Sequence, residues 1–428
     1  VKEVIAIISQ KLEKAFALVG EKKEELIELL REIVGINTCV PPGKNYDTLV
    51  DFLEPRFKDL GFDTERVIVP EAKIREIPLP LEGSRVNLVA TKRLGKEPVS
   101  IYAHMDTVPI EQKWSMDPFA CTVEGDKIYG RGTLDMKGSI AALLIALRIM
   151  QELNLEPSYD LICLMCTDEE IGVYPGVYHL ALQGYVKGHI LSLELGSQDP
   201  GITIGAFGKL DVTVTTLGRS CHSGMNFLGV NAAEEMIPIL EELMKLKVEV
   251  EKRESRIPAF PMPKAPSNKM TPMFNLNIIK GGVKSNIVPA ECTLTIDRRY
   301  IVDENYEEVI AEIQGAIERG KKRSKALDVK VNYLHVYPAF EIDAESVYAK
   351  KMREAYKAVQ NYKDEDFIRG GVYASTDMAF IAQELKTNKF ACIGPFRREN
   401  LSAHGADEYV KISDLTSMIK ELIYYLST

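Results

Sequence analysis

Three short apolar runs, VSIYAHMD (99–106), YDLICLMC (159–166) and GHILSLEL (188–195), each break off at or beside a histidine or a carboxylate. Apolar runs this short, bounded by polar residues, read as strands buried on both faces. Between them lie MKGSIAALLIALRIMQEL (136–153), rich in good helix formers, and the shorter helical stretch YPGVYHLALQGY (174–185). Buried strands alternating with helices predict an α/β domain, with a mainly parallel mixed sheet and helices on both faces. The same pattern says where chemistry belongs. Ligand sites in open α/β sheets form beyond the carboxyl ends of the strands. His104, Asp135, Glu169, Glu170 and Glu194 all fall at or just after predicted strands.

Residues 1–35 are helical by period, with an amphipathic pattern that does not resemble a secretion signal. YDTLVDFLEPRFKDLGF (46–62) reads as a second helix ended by Gly61, and RVNLVATK (85–92) as a strand. Near residue 205 the pattern changes. GKLDVTVTTLG, a helix through NAAEEMIPILEELMKL, the strands TPMFNLNIIKGG and AECTLTIDRRY, the helix ENYEEVIAEIQGAIERG and the strand DVKVNYLHVY follow in order. That order, β-α-β-β-α-β, predicts a ferredoxin-like α+β unit at 205–339, inserted into an α/β domain made of 1–204 and 340–428. Two domains also suit a chain of 428 residues, which is long for one core.

The net charge of −9 leaves no basic excess to meet phosphates, so no nucleic-acid partner is expected. No apolar run approaches the roughly 20 residues that span a bilayer, so no membrane partner is expected either. The seven cysteines show no framework spacing. Cys163 and Cys166 form a C-x-x-C inside an apolar strand, where the spacing sends the sulfurs to opposite faces, as core residues. Reduced thiols without a secretion signal lead to an expected cytoplasmic location.

Of six histidines, His179, His189 and His335 lie in ordinary helix or strand patterns and read as structural, whereas His104, His222 and His404 lie in polar, glycine-rich or strand-end contexts. His104 and Asp106 share one strand face, the arrangement in which a carboxylate fixes the tautomer of a metal-bound imidazole. Asp135 in GRGTLDMKG reads either as the N-cap of the long helix or as a metal ligand. Together, two histidines and several carboxylates converge on one sheet edge. Mixed sets of this kind suit zinc, with manganese and cobalt less specific. They are enough for two metal ions bridged by one acid, with one carboxylate left free to take a proton from water.

AHMDTVP, GRGTLDMKG, TDEEIG, HSGMNFLGVNA, GGVKSNIVPAE and AHGADEYV, in that order from about residue 20 to the end, resemble the co-catalytic zinc aminoacylase/carboxypeptidase family. Its members include acetylornithine deacetylase, succinyl-diaminopimelate desuccinylase, aminoacylase, folate-cleaving glutamate carboxypeptidase and several di- and tripeptidases. The resemblance implies a catalytic domain carrying an inserted lid, and two divalent ions, zinc first with cobalt or manganese as alternatives. One ion would take His104 with Glu194, the other Glu170 with His404, and Asp135 would bridge them. Asp106 would orient His104, Glu169 would be the general base, and Asp168 a turn residue or loop cap. A cis peptide is implied between Asp135 and Met136.

His222 is implied as a lid histidine that reaches the active site of a partner subunit and stabilises the oxyanion, in a homodimer formed through the lid. Asn286 and Arg299 resemble lid groups that grip a substrate carboxylate; Arg298 competes with Arg299, and strand alternation lets only one face the site. Gly371 and Thr376 in RGGVYASTDMAF resemble a glycine-rich substrate loop, with Tyr373 and Ala374 extending the gap between them. Arg397 or Arg398 meets either an acidic substrate or solvent. The implied activity is hydrolysis of an amide beside a carboxylate-bearing amino acid. The expected substrate is an N-acyl amino acid, as for acetylornithine or succinyl-diaminopimelate. A short peptide, cut by a carboxypeptidase or dipeptidase, is the alternative. A ureido amidohydrolase and a non-catalytic homologue rank below both.

Overall fold

The computed structural model describes residues 2–194, 200–397, 400 and 402–428, with side chains from residue 10 onward. The chain divides into two compact units, one of Val1–Ile204, Ile342–Arg369 and Phe380–Thr428, the other of Gly205–Glu341 and Gly370–Ala379. Segment 370–379 departs from the sequence expectation, which placed it with the α/β domain. Its backbone explains why: the Gly371 amide donates to Pro258 O at 2.7 Å, and the Phe207 amide donates to Ala374 O at 3.0 Å. These bonds tie the segment to the second unit.

The first unit is built on a six-stranded mixed sheet. Across it run Asp63–Ile68, Val86–Lys92, Asp160–Cys166, Pro98–His104, His189–Ser192 and Phe390–Cys392. The last four are mutually parallel and the first two antiparallel to their neighbours. Strand Asp63–Ile68 was not expected from the sequence. It is an edge strand with mostly exposed side chains, so it lacks the apolar run that marks the others. The register places His104 opposite Cys166, and Tyr102 opposite Ser192. The residues that follow these strands therefore leave the sheet side by side.

Helix Lys137–Glu152 is buried along nearly its whole length, as an all-round apolar helix must be. It packs against strand Pro98–His104 and helices Lys23–Gly35 and Ile412–Ser427. Its first turn is locked in place. A Cβ at Gly138 would lie 2.2 Å from Thr133 O, and buried Lys137 donates to Ile33 O at 3.2 Å and Ile36 O at 2.6 Å. Those carbonyls lie at the C-terminal end of helix Lys23–Gly35, where orphan acceptors favour a cation. Burial pulls the Lys137 amine down to about 8.

The second unit contains a four-stranded antiparallel sheet in the order Met273–Gly281, Glu291–Tyr300, Gly208–Leu217, Asp328–Tyr337. Helices Ala232–Val250 and Tyr306–Lys321 complete the ferredoxin-like arrangement, each started by an asparagine, Asn231 or Asn305, that accepts two amides of the first turn. Leu210, Val212, Val214, Leu294 and Ile296 face Met236, Ile239, Leu243, Ile313 and Ile317 in its core. All seven cysteines are free, and Cys163 and Cys166 are buried in their strand. Among the described residues, no helix is long and apolar enough to cross a membrane.

His189 and His335 are both packed structural histidines. His335 Nε2 lies 2.7 Å from the Tyr300 hydroxyl. His189 is fully buried, stacked on Tyr348 at 3.9 Å, with Nε2 2.9 Å from the Tyr425 hydroxyl. Burial, reinforced by nearby Lys351, depresses the His189 imidazole to about 3. The unfolded chain therefore binds a proton below about pH 6.5 that the folded chain refuses until about pH 3. The stability contribution is complete above that window and is lost as pH falls through it. Chemical denaturation across this range should show His189→Phe with a shallower acid slope than the parent, by at most about 1.4 kcal/mol per pH unit.

Candidate metal centre

The parallel strands of the first unit deliver the charged groups. His104 ends its strand fully buried. Its Nδ1 lies 3.1 Å from the backbone carbonyl of Asp106 and 3.7 Å from Asp106 Oδ1. Nδ1 donates to the Asp106 carbonyl, which leaves Nε2 facing Asp135 Oδ1 at 3.2 Å. Asp106 Oδ2 in turn accepts the Glu170 amide at 2.9 Å, tying two strand ends together. Asp106 thus acts on His104 first through its backbone.

Asp135 does not cap the helix; no side-chain capping bond exists there. Its two oxygens face two histidines, Oδ1 toward His104 and Oδ2 toward His404 Nε2 at 3.3 Å. His404 Nε2 also lies 3.0 Å from Glu170 Oε2. Glu169 and Glu170 open a 3-10 turn directly after strand Asp160–Cys166, and Glu169 is buried. Ligand atoms of His104, Glu169 and Glu194 lie within 4.8 Å of one another, as do those of His104, Asp135 and Glu170. The structure thus brings together all seven residues expected of this centre. The Asp135–Met136 peptide is cis.

The donor set fits divalent cations. Glu170 Oε1 is buried without a hydrogen-bond partner. Burial raises the Glu170 carboxyl, and the Asp135 charge raises it further. Asp135 is held well below the usual carboxylate range: the His104 and His404 imidazoliums outweigh its burial. Burial would lower His104, yet Asp135 and Asp106 hold it well above its ordinary value. Asp135 and Glu170 push His404 up to about 11. Both imidazoles are thus biased toward the protonated form that offsets the carboxylates, a role that a bound metal ion would take over.

Asp168 is more than a turn residue. It has a left-handed backbone (φ 62°) and is fully buried. Its Oδ1 accepts from the Tyr46 hydroxyl at 2.9 Å and its Oδ2 from Arg85 Nε at 3.0 Å. Burial raises its carboxyl to about 6 against the pull of Arg85. Arg85 also donates to the carbonyls of Glu82, Gly83 and Pro42, so the turn bearing Glu169 and Glu170 is anchored to three backbone positions. A second unforeseen group is Glu408. Buried beside Arg131, it accepts the amides of Gly132, Leu134 and Asp135. Its carboxyl is pushed up to about 7 by burial.

The remaining expected residues lie in the second unit, except the arginines near residue 397. His222 is exposed, its Nδ1 accepting the Gly224 amide at 3.1 Å. The Ser223 amide donates to Asn286 O at 3.0 Å, so His222 and Asn286 share one rim. Strand alternation separates the two arginines. Arg298 is buried and paired with Glu304, whereas Arg299 is partly exposed, paired with Asp297 at 2.9 Å and bonded to Ser375 at 3.0 Å. Gly371 and Thr376 are both buried. A Cβ at Gly371 would lie 1.8 Å from Met270 Sδ, and Thr376 Oγ1 accepts the Met378 amide, so each has a packing role the sequence did not suggest. Arg397 is largely withdrawn from solvent and turns inward to Asp414 and to the carbonyls of Gly394 and Phe396. Arg398 lies outside the described residues.

The profile of peptidase family M20/M25/M40 matches residues 100–428. The chain belongs to this family. A probable succinyl-diaminopimelate desuccinylase of Staphylococcus aureus (strain MRSA252) is 27% identical over 406 residues, covering 91% of this chain and 93% of the relative. Carboxypeptidase G2 of Pseudomonas sp. (strain RS-16) is 28% identical over 351 residues, covering 82% and 76%. The solved M20 family metallo-carboxypeptidase of Sulfolobus solfataricus shares the fold, with a TM-score of 0.76, 18% identity and coverage of 94% and 98%. Membership in M20/M25/M40 makes this chain a metal-dependent hydrolase of amide or peptide bonds.

Removing one member of a buried ion pair leaves the other charge uncompensated, so Arg85→Met should lower unfolding free energy by about 3–5 kcal/mol in urea denaturation. Arg85→Met with Asp168→Asn should recover part of that loss.

Proposed function

We propose that this chain is a dinuclear-metal deacylase, which cleaves the amide of an N-acyl amino acid of the acetylornithine or succinyl-diaminopimelate type. The observation that carries the proposal is the Asp135 carboxylate, shared between His104 and His404 with Glu170 alongside. A shared acid between two imidazole-bearing subsites is the arrangement that two ions need, one with His104 and Glu194, the other with His404 and Glu170. Zinc suits this mixed nitrogen and oxygen set best, ahead of cobalt and manganese. When bound, the ions supply Lewis acidity toward the scissile carbonyl and toward water.

The chain's own residues do the rest. Asp106 holds His104 in the tautomer that offers Nε2. Glu169, buried at the turn, takes the proton from the attacking water and returns it to the departing amine nitrogen. His222 steadies the charge on the carbonyl oxygen, and Arg299 with Asn286 receives the substrate carboxylate. A homodimer through the second unit is supported by the exposed apolar face of helix Ala232–Val250 (Ile237, Met244, Val248) and by exposed Ile278 and Ile279 on edge strand Met273–Gly281. Seven free cysteines favour a reducing, cytoplasmic setting.

The second reading is a carboxypeptidase or dipeptidase with the same chemistry, favoured by the near-equal identity to a carboxypeptidase. A panel separates the two. Release of acetate or succinate from acylated diamino acids, without release of C-terminal residues from dipeptides, is expected; the reverse result would establish the peptidase. Glu169→Gln should lower kcat by about 10²–10⁴-fold while metal content is unchanged; surviving activity would overturn the base assignment. Metal-free protein titrated with zinc should take up two equivalents, and Asp135→Asn at most one, as measured by elemental analysis after gel filtration.

A further inference from the structure

Glu408 and Arg131 form a buried ion pair that touches no expected metal position with its side-chain charge, yet lies between two of them. Glu408 is fully buried and Arg131 nearly so. Glu408 Oε1 accepts three backbone amides from the loop that carries the bridging acid: Gly132 at 3.1 Å, Leu134 at 3.0 Å and Asp135 itself at 3.1 Å. Glu408 Oε2 accepts from Arg131 Nη1 at 2.6 Å. Arg131 Nη2 then donates to His404 O at 3.2 Å. The acid thus holds the Asp135 loop with one oxygen, and through the guanidinium holds the His404 loop with the other.

The backbone makes the same connection. Strand Tyr409–Lys411 pairs with Lys127–Tyr129, Tyr409 opposite Tyr129, and the Gly130 amide donates to Glu408 O at 2.9 Å. Two loops far apart in the chain therefore leave one small sheet together. Arg131 also lies under the ring of Trp114, its guanidinium carbon 5.1 Å from the ring centroid, which fixes its remaining face. A buried ion pair is a poor stabiliser compared with well-packed apolar residues, because desolvation offsets most of the attraction. Its four hydrogen bonds to Arg131 and the Asp135 loop, and a fifth passed on to His404, make it a device of position instead.

We infer that Glu408 is a positioning residue that sets the separation of the two halves of the metal centre, by fixing Asp135 relative to His404. The inference rests on the dinuclear reading above. It predicts an asymmetric loss. His104 ends a central strand and Glu194 follows the neighbouring strand, both independent of the clamp. His404 depends on the clamp, and so does the Asp135 oxygen that faces it.

Titration calorimetry of metal-free protein with zinc chloride tests this. Glu408→Ala should weaken the second binding event by about 10–100-fold, with the first changed far less. Glu408→Gln should fall between Ala and the parent, since its carbonyl can still accept the three amides while its NH₂ group opposes Arg131. If the Ala variant does not fold, the Gln variant alone decides, showing either a selective loss of the second event or none. Glu242→Gln, which breaks an ion pair of the second unit with Arg319, should leave both events unaltered. Equal weakening of both events in step with a lower melting temperature would make Glu408 merely structural and overturn the inference, as would two unchanged events. A parent that binds only one ion would overturn the dinuclear reading itself, and this inference with it.

Discussion

Asp135 lies between two imidazoles, and the end of the first unit's sheet is arranged around the need to keep it there. Four further carboxylates, Asp106, Glu169, Glu170 and Glu194, crowd the same sheet edge. Buried like charges repel and lose hydration, so such a cluster persists only where cations compensate it. Without metal, protons on His104 and His404 serve, and both histidines are accordingly held above their ordinary range. The cost of the arrangement is carried by a surrounding layer of fixed partners: Arg85 on Asp168, Arg131 on Glu408, and Lys137 on the end of helix Lys23–Gly35. All three cations are buried. They hold turns and loops so that the reactive acids have no freedom to relax away from one another.

Much of this was legible in the sequence, and for identifiable reasons. Strands Pro98–His104, Asp160–Cys166 and His189–Ser192 are buried at almost every residue, so continuous apolar runs betray them. Each ends at a change from apolar to charged that a purely structural strand would not need, and this exposed His104, Glu169, Glu170 and Glu194. In the second unit, strict alternation along Gly208–Leu217 and Glu291–Tyr300 marked one covered and one open face. His404 sits in a loop with no periodicity. Its polar, glycine-bearing context singled it out among the histidines and the motif resemblance supplied its role, whereas Glu408, four residues on, was passed over.

What stayed hidden depends on pairing across distance. Arg85 and Asp168 are 83 positions apart, and Arg131 and Glu408 are 277 apart. Neither member of either pair carries a local signal, because an arginine before a strand or an acid before another strand is ordinary. Edge strand Asp63–Ile68 was hidden for the opposite reason: exposure removes the apolar run. Segment 370–379 was assigned to the wrong unit because chain order suggested continuity, whereas its glycines need the close backbone approach found beside Pro258 and Phe260.

The small sheet that joins Tyr409–Lys411 to Lys127–Tyr129 bears on how the centre comes into being during synthesis. The acids of the sheet edge emerge from the ribosome long before His404. The acid cluster gains its second imidazole only once the segment bearing His404 has been made and the small sheet has closed, so the folding of that segment and the completion of the cluster are one event.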